Sequence, residues 1–415
     1  MDTLMLYRIS QSFPDRHLHD IEQTMRDELR HVDSDIKPGM RIAITVGSRG
    51  IANLSRIVKA LVEELKSRKA IPFIIPAMGS HGGATAEGQK EVLAGYGITE
   101  KDMGVPIQAS MDVVSLPPGD LPLTLYQDRI AHEADGIILL NRIKVHTDFH
   151  GEYESGLMKM SVIGLGKHAQ AKAIHQYGAP GLRDLVPRAA RQIIKTSQII
   201  LGIGIVENAY DQTMLIKAIP AAEIEREEPK LLSICRQNMP RLPVDSIDAL
   251  IVDRIGKDIS GTGMDTNIIG RMRIRGEEEP AVPDINKLIV CDLSDSAYGN
   301  AAGMGLADFT TKKLQSKINF AATYENILTS IFTERGKMPI VAETDLQAFE
   351  YAVRTWGKTK IADAFVIRML DTLHLDTLYV SQAVYQQVKD NSGIKLLDGP
   401  HPAFTPDGQL NPFRL

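Results

Sequence analysis

Four of the chain's 11 histidines, His146, His150, His168 and His175, stand within the stretch 146–175, where a uniform scatter would put roughly one. Imidazole changes charge near neutrality and binds metals, so this crowding is the first chemical signal in the chain. His146 follows a buried-strand pattern and a basic lead, Arg142 and Lys144, the kind of place where a strand delivers a side chain into a cleft. His81 does the same in Gly79-Ser80-His81-Gly82-Gly83, after the apolar run 71–78. Histidines from two separate strand ends can face one substrate carbon from opposite sides and trade acid and base roles, as racemisation requires. His146 and His150 have the spacing of helical metal ligands, but Gly151 and the loop-like flanks argue against a helix there. His150 and His168 read as solvated loop residues.

Lys159 sits in Ser155-Gly156-Leu157-Met158-Lys159-Met160, flanked by apolar residues. A lysine buried there is either a member of a structural ion pair or a covalent anchor with a lowered pKa. The glycines of Gly164-Leu165-Gly166-Lys167 could offer amides to a phosphate, but the dinucleotide fingerprint GxGxxG is missing, and Gly303-Met304-Gly305 lacks its third glycine. In the second half, the loop-like run from Gly256 to Asn267 reads as a closing loop that presents Lys257, Asp258 and Asn267 to a ligand, or as a mobile surface loop.

Regular elements must carry these residues. The β-branched run 41–46 ends in Gly47-Ser48-Arg49-Gly50, and Asn53 can then cap a helix whose apolar residues Leu54, Ile57, Val58, Leu61, Val62 and Leu65 recur at helical spacing. The next run restores a strand and leads to His81. Strand, helix, strand is a right-handed crossover on a parallel sheet, whose carboxyl edge carries the ligand site and brings Arg49 and His81 together. Further strands are expected at 136–140, 199–206, 249–252 and 288–291, and helices near 182–194, 320–332 and 346–353. The fold class is α/β, with two α/β domains of mainly parallel sheets and an active site in the cleft between them. The charged, proline-bearing stretch 223–244 marks the boundary, giving domains at 1–243 and 244–394 and an extended tail, 395–415, packed back on the body.

With 415 residues, 43% hydrophobic and 24% charged, the chain is globular and long enough for two cores. A net charge of −5 and the lack of a dense Lys/Arg run exclude nucleic acid as a main partner. No run of apolar residues is long enough to span a bilayer and no leader pattern opens the chain, so a cytoplasmic protein without membrane contact is expected. The two cysteines, Cys235 and Cys291, are far apart and form no CxxC, which excludes a disulfide framework or thiolate zinc site.

Taken together, these residues resemble the nickel-pincer lactate racemase family. The likeness spans most of the chain and is best over 41–178. It rests on Arg49 after an early strand, His81 in a Gly-Ser-His segment after the next, His146 opening a segment that ends in Lys159, and His175 beyond it. The resemblance implies a pyridinium mononucleotide with two sulfur-containing arms and a carbon-bound nickel, joined through a thioamide to Lys159 with Ser155 beside it, and His175 as the nickel ligand. His81 and His146 would be the opposed acid/base catalysts. Arg49 would grip the substrate carboxylate, as a guanidinium can by two hydrogen bonds. The family's acidic residue three positions before the arginine is Val46 here, and the segment between His146 and Lys159 gains Thr147, Asp148, Glu152 and Glu154. In the second half Lys257 and Tyr298, the latter in Asp295-Ser296-Ala297-Tyr298-Gly299-Asn300, are the nearest substrate-side residues.

The implied function is an isomerase that inverts the second carbon of a 2-hydroxy acid. Extra carboxylates favour a polyhydroxy, sugar-acid substrate, because buried polar groups select for partners. Enzymes that build the cofactor would be partners, and a homo-oligomer is open. A nicotinamide-dependent hydroxy-acid dehydrogenase and a non-catalytic metabolite-binding protein are the alternatives.

Overall fold

The computed structural model describes residues 3–32, 36–48, 50–358 and 360–415. It divides into two compact units, Pro14–Met239 and a second made of Met1–Phe13 with Pro240–Leu415. Each is α/β.

The unit Pro14–Met239 is built on a five-stranded sheet in the order Ile71–Pro76, Arg41–Val46, Gly136–Arg142, Ile199–Glu207, Thr213–Pro220; the first four are parallel and the last runs antiparallel. Alternate residues of the central strands enter two different cores. Ile42, Ile44, Ile138 and Leu140 pack on one face with the helices Ile21–His31 and Leu54–Ser67, and Ala43, Ile137 and Leu139 pack on the other with Val186–Thr196 and Ile224–Asn238. Burial on both faces explains why these strands read as unbroken apolar runs. The parallel register pairs Val46 with Pro76 and Ile44 with Ile138, so three strands release their chains at one edge of the sheet.

Several expected details differ. Asn53 does start the helix Leu54–Ser67, but at φ 58 and with no side-chain cap; its amide donates to Thr213 Oγ1 instead. The stretch taken for the domain boundary is the helix Ile224–Asn238, with Pro229 inside it, and the division follows Met239. Ile224, Leu231, Leu232 and Cys235 form its buried stripe, which explains why a charged, proline-bearing segment still belongs to this unit.

The other unit has an eight-stranded sheet in the order Ile340–Ala342, Phe309–Thr311, Asp284–Leu293, Ser246–Ile255, Val366–Met369, Thr377–Val380, Met5–Gln11, Ile394–Pro402. The first five are parallel, and each of the last three pairs antiparallel with the strand before it. Two expectations fall here. The first residues of the chain are not part of the N-terminal domain, because Met5–Gln11 fills the gap between Thr377–Val380 and Ile394–Pro402. The tail is not merely extended chain: it opens with the edge strand Ile394–Pro402, and Phe404, Leu410 and Phe413 then pack on this unit's core.

A buried ion pair locks the first unit. Lys167 and Asp128 both have side chains at 0% exposure, 3.1 Å apart, and the ammonium also donates to Pro76 O at 2.5 Å and Gln89 Oε1 at 3.2 Å. Burial pushes the lysine pKa down while Asp128 opposes the shift. Lys167→Met therefore strands a buried carboxylate and should cost about 3–5 kcal/mol, whereas adding Asp128→Asn should recover much of it. Denaturant unfolding of the three proteins is the measurement; a single variant as stable as the parent would disprove the account.

Candidate active site

The released chains at the sheet edge carry the candidate catalytic groups. After Ile71–Pro76 the backbone turns at Gly79, whose φ of +59 favours glycine and where a Cβ would press on Ile163 at 3.3 Å. His81 follows, exposed, with its Nδ1 in hydrogen-bond contact with Ser48 Oγ from the neighbouring strand's loop. Gln89 fastens this loop by donating to Gly79 O at 3.0 Å and His81 O at 3.2 Å, and Tyr96 holds Ser48 through its carbonyl at 2.8 Å. Arg49, the expected carboxylate-binding residue, lies outside the described residues.

After Gly136–Arg142 the chain makes a closed loop, pinned at its base by Lys144 and Ser155, whose backbones exchange hydrogen bonds of 3.0 and 3.2 Å. No helix forms across His146 and His150. Inside the loop Glu154 is fully buried and is not a substrate-facing carboxylate. It accepts from the amides of His146 and Gly151 and from Arg236 Nη2, the last at 2.6 Å. His150 leans on the same carboxylate at 3.4 Å, and His168 is exposed on the helix Lys167–His175. Phe149 packs against the His146 ring at 4.4 Å between centroids. Lys167, which ends the glycine-bearing segment 164–167, is committed to the buried pair described above.

The chain then forms one helical turn, Leu157–Lys159, runs into a π-turn over Met160–Gly164, and continues as the helix Lys167–His175. π-turns are rare and concentrate at functional sites. Lys159 Nζ lies 2.6 Å from His146 Nε2, while the Asp148 amide donates to His146 Nδ1 at 3.0 Å. An imidazole that accepts at Nδ1 presents its Nε2 to Nζ. His175 belongs to the same cluster: burial lowers its pKa first, the charge of Lys159 lowers it further, and Asp148 opposes. The structure thus brings His146, Lys159, His175 and Asp148 together and holds His81 on the same sheet edge.

Among the described residues no three His, Cys, Asp or Glu side chains are placed to hold a metal ion. The donor set nonetheless fits the group that the sequence resemblance implies. A nickel already bound by carbon and two sulfurs needs one protein ligand, and His175 is held towards the neutral form a ligand requires. Lys159, with its Nζ against His146 Nε2, is likewise the kind of amine that covalent attachment uses.

In the other unit, Lys257 donates to Gly261 O and to Asn326 Oδ1, Asp258 accepts from Ser294 Oγ at 2.8 Å, and Asn267 donates to Asp265. These bonds brace the loop, some within it and others to Ser294 and Asn326. Tyr298 is 89% exposed at φ 49.

No family model and no curated protein matches the sequence. The structure compares otherwise. The lactate racemase apoprotein from Thermoanaerobacterium thermosaccharolyticum matches with a TM-score of 0.51 over 89% of this chain and 98% of that one, at 14% identity. The chain has the lactate racemase fold. The α/β class with mostly parallel sheets, expected from the sequence, is thereby shown.

Two contributors escaped the sequence reading. Ser48 gave no signal, since a serine in a glycine-bearing loop is ordinary. Glu228 did give one: it falls on the apolar stripe of its helix between Ile224 and Leu231. It is fully buried, and desolvation, opposed only by hydrogen bonds from the Met158 and Leu157 amides, pushes its pKa up to about 7. A carboxyl whose folded pKa is raised contributes stability that is complete below the unfolded value near 4.5 and is lost as pH rises through about 7. Full ionisation then costs on the order of 3 kcal/mol. Glu228→Gln cannot ionise, so its unfolding free energy should overtake that of the parent between pH 5 and 8.5; denaturant titrations at those two pH values showing parallel behaviour would contradict this.

Proposed function

We propose that the chain is a racemase or epimerase acting at the second carbon of a 2-hydroxy acid. The observation that supports it best is the 2.6 Å contact between Lys159 Nζ and His146 Nε2, with His175 within range of the lysine's charge. Lys159 would hold a nickel-pincer pyridinium nucleotide, with Ser155 at its side, and His175 would ligate its metal. When bound, that group supplies a reversible hydride acceptor.

The chain's own residues handle the protons. His146 or His81 takes the hydroxyl proton of the substrate as the bond to the second carbon's hydrogen is broken, and returns a proton to oxygen when hydrogen is restored on the other face. Phe149 against the His146 ring and Ser48 against His81 keep each imidazole in one orientation. Arg49 is assigned the substrate carboxylate on its sequence position. Lys257 and Tyr298 are assigned to substrate binding on the same footing.

Intact mass and nickel content of protein made in cells able to build the cofactor test this reading. An adduct on Lys159 with stoichiometric nickel is expected; an unmodified, nickel-free and inactive chain from such cells sinks it, and NADH formation from substrate and NAD would point to a dehydrogenase. Lys159→Ala should lose the adduct, whereas His175→Ala should keep the organic adduct and lose nickel, because one residue supplies a covalent bond and the other a coordination bond. Retained nickel and full activity in the His175 variant would mean that another group is the ligand.

The substrate class is proposed from the carboxylates near the site. Glu154 is engaged by Arg236, and Asp148 is the extra carboxylate beside His146 and His175. A substrate hydroxyl that donates to a carboxylate gains roughly 1.5–3 kcal/mol, so lactate, which lacks the extra hydroxyls, should be turned over about 10–150-fold less efficiently than a polyhydroxy acid. An epimer-resolved screen from lactate to six-carbon aldonates decides it. Equal efficiency across the series would remove the sugar-acid preference and leave the racemase reading intact.

A further inference from the structure

We propose that Glu228 is a positioning residue for Lys159, its carboxyl acting as the N-terminal cap of the helical turn that carries the lysine. The inference rests on the reading of Lys159 as the reactive amine of the site, and concerns how that amine is aimed. The turn Leu157–Lys159 opens the helical segment that continues through Gly164, and the first amides of any helix need outside acceptors. The residue before it, Gly156, has no side chain to offer. Glu228 Oε2, from the separate helix Ile224–Asn238, accepts from the Met158 amide at 2.9 Å.

Gly156 is what allows this approach: a Cβ there would lie 2.2 Å from Glu228 Oε1. From the other side Asn141 Nδ2 donates to Gly156 O at 2.9 Å, so the start of the turn is clamped between two side chains from different elements. Retention of Glu228 on an apolar stripe needs a reason. Its Oε1 is buried without a hydrogen-bond partner, and burial raises its pKa, so the fold bears a cost that leucine would avoid. What leucine would not supply is an acceptor for the amide immediately before Lys159. With the turn released, Lys159 would lose its fixed line to His146 Nε2.

Competitive acetylation by acetic anhydride at one pH near 8, read by peptide mass spectrometry on the cofactor-free chain, tests this directly. In the parent, the labelling of Lys159 relative to the exposed Lys195 gives the reference ratio. Glu228→Leu should change that ratio at least about threefold, while Glu228→Gln, which keeps an acceptor for the Met158 amide, should stay within about twofold of the parent. Gly156→Ala displaces the carboxyl without altering it, and should reproduce the leucine result if that variant fails to fold. Parent-like labelling of Lys159 in a folded Glu228→Leu or Gly156→Ala variant overturns the proposal. Neither reagent nor readout involves cofactor or substrate, so an intact mass without adduct would sink the racemase reading and leave these ratios standing.

Discussion

One buried ammonium ties together the pieces on which the candidate site depends. Lys167 begins the helix that ends at His175, and its Nζ reaches the carbonyl of Pro76, the last residue of the strand that leads to His81. Through Gln89 it also secures the carbonyls of Gly79 and His81. Asp128, its counter-charge, sits at the end of a hairpin strand and caps the next turn through the Ala131 amide. A charge this deep is costly unless every partner is in place, so the arrangement is close to all-or-none: strand end, loop and helix are held in one geometry or the pair fails. That constraint converts loops at a sheet edge, which alone would be soft, into a frame for two imidazoles.

The candidate cluster of basic groups follows a different electrostatic rule. The Asp148 amide occupies Nδ1 of His146 and leaves Nε2 to Lys159. Burial and the charge of Lys159 both hold His175 towards its neutral form, with Asp148 opposing. The carboxylates nearby are arranged to leave this intact: Glu154 is neutralised by Arg236 and spends its oxygens on the amides of His146 and Gly151.

Much of this was visible in the sequence. The four parallel strands of the first unit announced themselves as apolar runs, because both faces of each are buried, and the rule that ligand sites gather at carboxyl ends put Arg49 and His81 on one edge, with His146 at the end of a separate strand. Strands at the antiparallel margin of the other sheet were not visible. Met5–Gln11 and Ile394–Pro402 are defined by pairing across nearly the whole length of the chain, and the second is largely exposed, so neither hydrophobic period nor composition marks it. The helix Ile224–Asn238 was hidden by its charges and Pro229, although its stripe at helical spacing was there to be counted.

At the site, the residue types that do chemistry were legible, and the groups that aim them were not. His146, Lys159 and His175 stand out because imidazoles and an apolar-flanked lysine are uncommon in such company. Ser48, Gln89 and Lys167 act through single contacts with residues distant in sequence, and nothing in a serine or a glutamine reports which carbonyl or ring it will meet. Glu154 shows the hazard in the other direction. A carboxylate in a histidine-rich loop invites a catalytic reading, but the same negative charge is equally suited to gathering the amides of a tight loop, and the presence of Arg236 on a helix more than eighty residues away settles which use the fold makes of it. Local composition specifies the reagents of such a site; the long-range pairs decide which of them face the substrate.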